Sequence, residues 1–406
     1  MVKKAASVLS EKLKTEVSVK HVDIGFFNKL LVEGVMIKDL KKDTLLYAGV
    51  VKLNITDWFF LTQKPVIKYI GLSDAVINLK RTDSVWNYQF LADFFASPKS
   101  TTKKESNTQI DLKTIELNNV TFNKIDGWIG QDLRASIKKL FLKADDFDLT
   151  KKQVSINEVK LDEPIFGIYD YTGNRPSAPK RQPDTAVAIN LSQLQWNAAN
   201  WKITIGTITL QDGRFINERE TQHLPYTDRF DGQHIIFSSI NGQLNNVMFY
   251  KDTISTHLKL STKEKSGFEV KEIVADMKLT PSIMEFNNLD IITDKSRIGN
   301  YYAMRYNDFN DDMSDFLHKV KLEGRFTNST IHSDDIAFFA PELKSWNRVI
   351  HFNGQAKGSI DNLAARDFTL KSDNTIINGD ISLKGLPDIN NTFIDFKSNN
   401  LVTNYY

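Results

Sequence analysis

One pattern of apolar and polar positions recurs along the chain. It occurs in the segments that begin at Tyr69 (YIGLSDAVINLKR), Thr114 (TIELNNVTFNKID), Glu158 (EVKLDEPIFGIYD) and Thr207 (TITLQDGRFINER). In each segment the second residue is β-branched, the fourth is leucine, two polar residues follow, and the ninth is isoleucine or phenylalanine. The segments begin at intervals of roughly 45 residues, a period that is typical of repeat architectures.

The alternation within each segment predicts β-strands with one apolar face. Glu116 separates Ile115 from Leu117, so these two apolar side chains share one face of a strand. Stacked copies would therefore form a continuous apolar stripe. The residues of this predicted stripe are Ile70, Leu72, Ile115, Leu117, Val159, Leu161, Ile208 and Leu210. The polar pair that follows each leucine predicts either a β-bulge or a hairpin turn.

Helical periodicity is confined to short stretches. Apolar residues at helical spacing predict an amphipathic helix within residues 1–17, which either caps the sheet or lies near a membrane. The segment WNYQFLADFF from Trp86 predicts a second short helix. The segment DDIAFFAPEL predicts a third, with Asp334 or Asp335 as its N-cap.

A sheet of this size needs a cover for its apolar face. At about 12–15 residues for a strand and its turn, the chain would hold roughly 25–30 strands, whereas twisted open sheets rarely exceed about 10. A few short helices cannot cover so large a face. The sheet must therefore fold on itself as a sandwich or solenoid, or curl into a trough whose apolar lining meets a non-protein ligand.

Composition narrows the function classes. The chain has 406 residues, of which 41% are hydrophobic and 25% charged, as in ordinary folded proteins. Its 52 basic and 50 acidic residues leave a net charge of +2, which argues against a nucleic-acid partner. The absence of cysteine excludes disulfides and thiolate metal sites. No apolar run is long enough to predict a membrane-spanning helix.

Motifs for catalysis and for metal binding are missing from the sequence. The seven histidines are scattered, and no HExxH, GxSxG, Walker A or dinucleotide-binding motif occurs. The acidic segment NDFNDDMSD departs from a calcium loop at Met313, where the turn glycine belongs, and predicts a solvated loop that leads into a short helix. An enzyme on a β-solenoid would need convergent acid–base residues on one face, and the predicted strands do not supply them. We therefore expect no enzymatic activity, no cofactor and no metal site.

Several long segments resemble a known family. The stretch VSVKHVDIGFFNKLLVEGVMIKDLKKDTLLYAGVVKLNI from Val17 resembles the opening module of AsmA/TamB-type proteins, and INLKRTDSVWNYQFLADFF from Ile77 resembles their segment of an arginine followed by Trp-Asn. The stretches STKEKSGFEVKEIVADMKLTPSIMEFNNLDIITDKSRI from Ser261 and DDIAFFAPELKSWNRVIHFNGQAKGSIDNL from Asp334 resemble the large TamB-like proteins of the Bacteroidetes. The resemblance covers nearly the whole chain.

This resemblance implies a fold, a location and a function. The implied fold is mainly β: an elongated, curled antiparallel sheet that forms an apolar groove of the β-taco type over residues 18–406, with a subdivision near residues 180–200. The implied protein is a periplasmic segment of a bridge-like lipid carrier, which moves phospholipid between the inner and outer membranes. An inner-membrane anchor and a C-terminal part that docks to an outer-membrane barrel partner would lie outside this sequence.

A second function stays open at this stage. A sheet edge or face could instead guide unfolded outer-membrane proteins by strand addition, which would make the protein a non-enzymatic scaffold or chaperone for translocation and assembly. Lipid bound to the purified protein would separate the two hypotheses.

Overall fold

The computed structural model describes residues 2–25, 29–55, 66–96, 109–176 and 196–403. The protein is mainly β, with 65% strand and 10% helix, which confirms the predicted class. The predicted subdivision near residues 180–200 falls mostly outside the described residues.

The chain divides into two units. Unit 1 comprises Met1–Gln182, Ile208–His223 and Gly232–Ser239, and unit 2 comprises Pro183–Thr207, Leu224–Asp231 and Ile240–Tyr406. The strands within unit 1 are β1 Val17–Ser18, β2 His21–Gly25, β3 Lys29–Lys38, β4 Thr44–Ile55, β5 Val66–Arg81, β6 Gln109–Asp126, β7 Gln131–Asp148, β8 Gln153–Asp162 and β9 Ile165–Asp170. Two strands, β10 Lys202–Arg219 and β11 His234–Tyr250, contribute residues to both units. The strands within unit 2 are β12 Thr253–Glu264, β13 Glu269–Thr280, β14 Ile283–Ile292, β15 Arg297–Arg305, β16 Lys321–His332, β17 Val349–Ser359, β18 Asn362–Ser372, β19 Thr375–Lys384 and β20 Phe393–Val402.

Most neighbouring strands are antiparallel, but two pairs are not. β5 pairs with β6, and β9 with β10, in parallel, so the prediction of an antiparallel sheet is wrong at these two places. A parallel pair needs a crossover connection of a dozen or more residues. The connections at residues 82–108 and 171–201 are long enough to provide it.

The described part of the chain holds twenty strands, fewer than the 25–30 predicted. The strands are longer than expected, and β6, β7 and β10 have 18 residues each. In β6 and β10 the reason is that the polar pair of the repeated pattern does not end the strand, and β5 also continues through its pair.

The second residue of every polar pair has a left-handed backbone. The φ angles are 54° at Asp74, 52° at Asn119, 49° at Glu163 and 49° at Asp212. A hairpin turn is excluded in β5, β6 and β10 because each of these strands continues through its polar pair. Between β5 and β6 the residues on either side of the pair stay in register, so the two left-handed residues lie side by side without an inserted residue.

In unit 2 the same conformation produces β-bulges. Asn287 and Asn288 stand opposite Tyr301 alone, and Asn288 has a φ of 51°. Equivalent bulges occur at Asn328 in β16 and Asp367 in β18, with φ angles of 50° and 49°. Asparagine and aspartate tolerate this region better than other residues that carry a side chain, which explains the residue types at these positions.

Five short helices occur in the described residues: α1 Val2–Leu13, α2 Gln89–Ala96, α3 Phe309–Ser314, α4 Phe316–Lys319 and α5 Ser333–Ile336. The first two fall where the sequence predicts them. Asp308 caps α3 by accepting a hydrogen bond from the Asp311 N–H, in agreement with the predicted loop and short helix. No helix of the described residues has both the length and the apolar content to cross a membrane.

The third predicted helix is only partly correct. The N-cap of α5 is His332, whose Nδ1 accepts from the Asp334 N–H at 3.1 Å, and not Asp334 or Asp335 as predicted. The segment also does not form one continuous helix, because a separate 3₁₀ helix covers Pro341–Ser345. Proline cannot donate the helical hydrogen bond and therefore favours a helix start at this position.

Candidate functional site

Two rows of apolar side chains cross one face of seven neighbouring strands of unit 1, from β2 to β8. Cross-strand partners share a face of a sheet, so the register defines the rows. The first row is Ile24, Leu30, Leu53, Ile70, Ile115, Leu142 and Val159, and the second is Val22, Val32, Val51, Leu72, Leu117, Leu140 and Leu161. Together we call them the unit 1 apolar face.

Six of the eight residues predicted to form a stripe belong to this face. Because β5 and β6 are parallel and in register, Ile70 pairs with Ile115 and Leu72 with Leu117. The predicted pair on β8 is separated from β6 by β7, which completes both rows. The last two predicted residues, on β10, are half-buried, and β10 pairs with β8 and β9.

The leucines of β7 were missed because β7 lacks the repeated pattern. Leu140 and Leu142 carry the same alternation in the short stretch LFL, and this was the only signal available.

The ninth position of each copy also forms cross-strand pairs. Ile77 pairs with Phe122, and Phe166 pairs with Phe215 with their rings stacked at 6.3 Å.

The unit 1 apolar face is only partly shielded from solvent. Twelve of its fourteen residues are half-buried, Val159 is buried at 7% exposure, and Ile24 is 62% exposed. Side chains at the centre of a sheet face that a second layer covers are normally buried. The described residues therefore cover this face only in part along most of its length.

The opposite face of the same strands is polar. The Tyr69 hydroxyl donates to Glu116 Oε2 at 2.8 Å, and Lys160 pairs with Glu158 at 2.8 Å. Burial, the hydrogen bond to Glu116 and the negative charge of Glu116 raise the pKa of Tyr69 to about 12, so the hydroxyl stays a donor. The sheet of unit 1 thus has one apolar and one polar side.

In unit 2 a comparable row crosses eight strands, from β13 to β20. In order of strands, its residues are Met277, Phe286, Tyr302, Gly324, Ala356, Ala365, Ile381 and Phe396. The middle of the row consists of the small residues Gly324, Ala356 and Ala365. At the β13–β15 end, Phe286 and Tyr302 pack against a buried cluster of Leu258, Ala275 and Leu289.

On strands β16 to β20 the same face opens into an apolar concavity of about 570 Å³, which we call the unit 2 trough. Phenylalanine side chains form its walls, with centroid distances of 5.2 Å between Phe326 and Phe352 and 6.1 Å between Phe368 and Phe396. The lining residues are Phe326, Ile331, Ile336, Ile350, Phe352, Asn353, Gly354, Gln355, Ala356, Ala365, Phe368, Leu370, Ile377, Ile381, Ile394 and Phe396. Its volume falls in the range of small-molecule sites.

A bulge keeps the apolar side chains of β18 on the trough side. Ala365 and Phe368 are three residues apart, so regular alternation would place them on opposite faces. The extra residue at the Asp367 bulge shifts the phase by one, and both side chains line the trough. The sequence analysis did not identify the trough, because its floor of small residues exists only across neighbouring strands.

One cluster of metal-ligand side chains occurs in the described part of the chain, formed by Glu218, His223 and His234 of unit 1. The sequence predicted no such cluster, because the three residues are spread over a strand, a connecting segment and the next strand.

Comparison with models of known protein families gives no match, and no curated protein is found to be similar to this chain.

Proposed function

We propose that the protein binds the acyl chains of phospholipids along the apolar faces of its sheet and carries lipid between membranes. The observation that carries this proposal is the unit 2 trough, whose lining is apolar apart from Asn353 and Gln355. Both of these side chains are exposed, and they alternate with the trough-facing residues Phe352, Gly354 and Ala356.

The chemistry of the lining favours a hydrocarbon ligand. A polar ligand needs a few convergent hydrogen-bonding groups, because burying an unpaired polar group has a free-energy cost of about 1–3 kcal/mol or more. An acyl chain needs none. Each methylene group that leaves water contributes about 0.8 kcal/mol, so a sixteen-carbon chain gains on the order of 10 kcal/mol when fully covered.

The arrangement of the unit 1 apolar face is suited to the movement of a lipid along it as well as to lipid binding. Its two rows contain only valine, leucine and isoleucine. Neighbouring strands therefore offer nearly equal contacts to an acyl chain that slides across them. No single position would then trap the ligand.

The finer features of the proposal rest on the resemblance to AsmA/TamB-type proteins. We propose an elongated groove of the β-taco type, in a periplasmic protein that is anchored in the inner membrane and reaches toward an outer-membrane barrel partner through parts beyond this sequence. The half-buried apolar rows and the trough support this architecture.

Site-specific photo-cross-linking tests the proposal. Benzoylphenylalanine is placed at Phe352 in the trough or at Leu117 on the unit 1 apolar face. The matched controls, His351 and Asn118, lie one residue away on the opposite face, and His351 is not among the residues that line the trough. The protein is incubated with vesicles of radiolabelled phospholipid and irradiated. We expect labelled lipid at Phe352 and Leu117, and little at the controls.

Equal labelling at all four positions, or none, would refute a lipid-binding face. Cross-links to unfolded outer-membrane protein at Phe352 and Leu117, without lipid, would favour the scaffold function instead.

A further inference from the structure

Glu218, His223 and His234 bring three potential metal ligands together in unit 1. Glu218 lies near the end of β10, His234 begins β11, and His223 lies on the segment between them. Glu218 Oε2 is 2.6 Å from His234 Nδ1 and 3.8 Å from His223 Nε2. All three ligand atoms lie within 4.8 Å of one another.

We propose that these three side chains bind a divalent transition-metal ion, for which Zn²⁺ is the best fit. Zn²⁺ binds imidazole nitrogen and carboxylate oxygen at about 2.0–2.2 Å in a tetrahedron, so two ligand atoms of one site stand about 3.3 Å apart. The distances from Glu218 to the two histidines lie on either side of this value. To bind the same ion as His234, the exposed His223 ring would turn out of its stacking on His234 and bring Nε2 closer to Glu218.

His234 is oriented as a metal ligand. Its side chain is 1% exposed, and its second ring nitrogen, Nε2, is 3.2 Å from Thr221 Oγ1. A histidine that binds a metal through one nitrogen commonly donates the N–H of the other to an oxygen. With Nε2–H donating to Thr221, Nδ1 keeps a lone pair for the metal ion, which would replace the present contact of Nδ1 with Glu218 Oε2.

The other two ligands leave the site accessible to solvent. The His223 side chain is 64% exposed, and its ring stacks on that of His234 at a centroid distance of 3.6 Å. A metal ion can therefore enter from solvent and keep a water molecule as fourth ligand. The bound ion would fix the His223 segment to the ends of both strands, which is a structural role independent of lipid binding.

The nitrogen ligands define the class of ion. Two imidazoles and one carboxylate suit Zn²⁺ and other late transition metals, whereas Mg²⁺ and Ca²⁺ prefer oxygen ligands.

Calorimetric titration of the full chain tests the proposal, using protein treated with chelator and free of any histidine tag. We expect one equivalent of Zn²⁺ to bind, with no binding of Mg²⁺ or Ca²⁺. Co²⁺ should bind at the same site with the visible absorption bands of tetrahedral coordination. His223→Ala removes an exposed ligand without opening a cavity, and should weaken Zn²⁺ binding by more than about 100-fold.

Two further variants distinguish a specific loss of metal binding from a general loss of folded structure. Thr221→Val, which removes only the oxygen that orients His234, should weaken binding by about 10–100-fold. His257→Ala changes an exposed histidine that pairs with Asp276, and should leave Zn²⁺ binding unchanged. The absence of saturable binding by the unaltered protein, or equal affinity in His223→Ala, would overturn the proposal.

Discussion

At the scale of single residues, the left-handed positions determine which way the following side chains point. Asn288, Asn328 and Asp367 each lie in a bulge where two residues face one on the neighbouring strand. The bulge reverses the alternation, so apolar residues on both sides of it can face the same way. A left-handed backbone has a free-energy cost of about 1–2 kcal/mol for most residues, which makes these positions sensitive to substitution.

Asn328 offers a direct test, because its side chain is exposed and its backbone N–H donates to Asn353 Oδ1 at 2.6 Å. Asn328→Val should lower the free energy of unfolding by about 1–2 kcal/mol, since a β-branched residue fits the left-handed region poorly. Asn328→Gly should change it by less than about 0.5 kcal/mol. Urea denaturation monitored by circular dichroism measures both, and equal midpoints for the two variants would contradict this explanation.

A second residue-scale feature is the ion pair between Arg81 and Asp126, which joins the ends of the parallel strands β5 and β6. Arg81 Nε and Nη2 donate to the two carboxylate oxygens at 2.6 and 2.8 Å, and the Asp126 side chain is 1% exposed. The guanidinium also lies 4.6 Å from the ring centroid of Trp86. The fold thus accounts for the Arg and Trp-Asn segment on which part of the family resemblance rests.

The pair predicts a specific pH dependence of stability. Burial acts to raise the pKa of the Asp126 carboxyl, but hydrogen bonds from Arg81 and the Ile129 N–H, with the charges of Arg81 and Lys124, hold it below its usual range. A carboxyl with a lowered pKa stabilises the fold above its unfolded pKa of about 3.9, and this contribution is lost as the pH falls through the folded value.

Asp126→Asn should therefore reduce stability at pH 7 and flatten the loss of stability on acidification, as measured by urea midpoints from pH 7 to pH 3. Asp148→Asn is the matched control, because Asp148 also has a lowered pKa but pairs with the exposed Lys151. Exposed pairs contribute little to stability, so the control should change the midpoint less. A larger effect from Asp148→Asn would contradict the importance of the buried pair.

At the scale of elements, the trough depends on Ala356 and Ala365, two small lining residues that lie side by side on β17 and β18, next to Gly324 on β16. A side chain added at Gly324 would meet the Phe326 ring, which lies over this glycine at 2.5 Å from the ideal Cβ position. Ala356 and Ala365 are direct cross-strand partners. A large residue at Ala356 would fill the concavity without displacing the surrounding strands.

Ala356→Trp should therefore reduce the amount of phospholipid that is extracted with the purified protein by at least half, while the circular dichroism spectrum stays unchanged. Lys357→Trp is the control, because Lys357 is exposed, follows Ala356 on β17 and is not among the residues that line the trough. Mass spectrometry of solvent extracts measures the bound lipid. If both tryptophan variants retain the normal amount of lipid, the trough is not its binding site.

At the scale of the whole molecule, the proposed elongated groove makes a prediction about size. In the proposed groove the twenty described strands would occupy eighteen places side by side, because β1 and β2 share the partner β3, and β8 and β9 share β7. At about 4.8 Å each, these would span about 86 Å. A compact chain of this length has a radius of gyration of about 22 Å, equivalent to a sphere about 57 Å across.

Small-angle scattering on the monomer should therefore give a maximum dimension above about 86 Å. Scattering in buffer and in excess lipid should agree, because the groove does not need a ligand to form. A maximum dimension near 57 Å would show that the strands fold back on themselves, and the groove would lose its geometric basis.

The sequence by itself determined the mainly β fold class and six of the eight residues predicted for the stripe. Alternation is a local property, so Ile70, Leu72, Ile115 and Leu117 could be placed on one side of their strands before any pairing was known. The second residue of three of the four polar pairs is asparagine or aspartate, the types that tolerate a left-handed backbone, and this preference is also visible in the sequence.

Only the tertiary structure decided which strands lie next to each other. β5 pairs with β6 in parallel, and β7 inserts Leu140 and Leu142 between two copies of the pattern. Gly324 likewise lies beside Ala356 on another strand. These contacts join residues that are separated along the chain. The same holds for Glu218, His223 and His234. Strand register is fixed by pairing energies summed over whole strands and by bulges, and no short stretch of sequence contains that information.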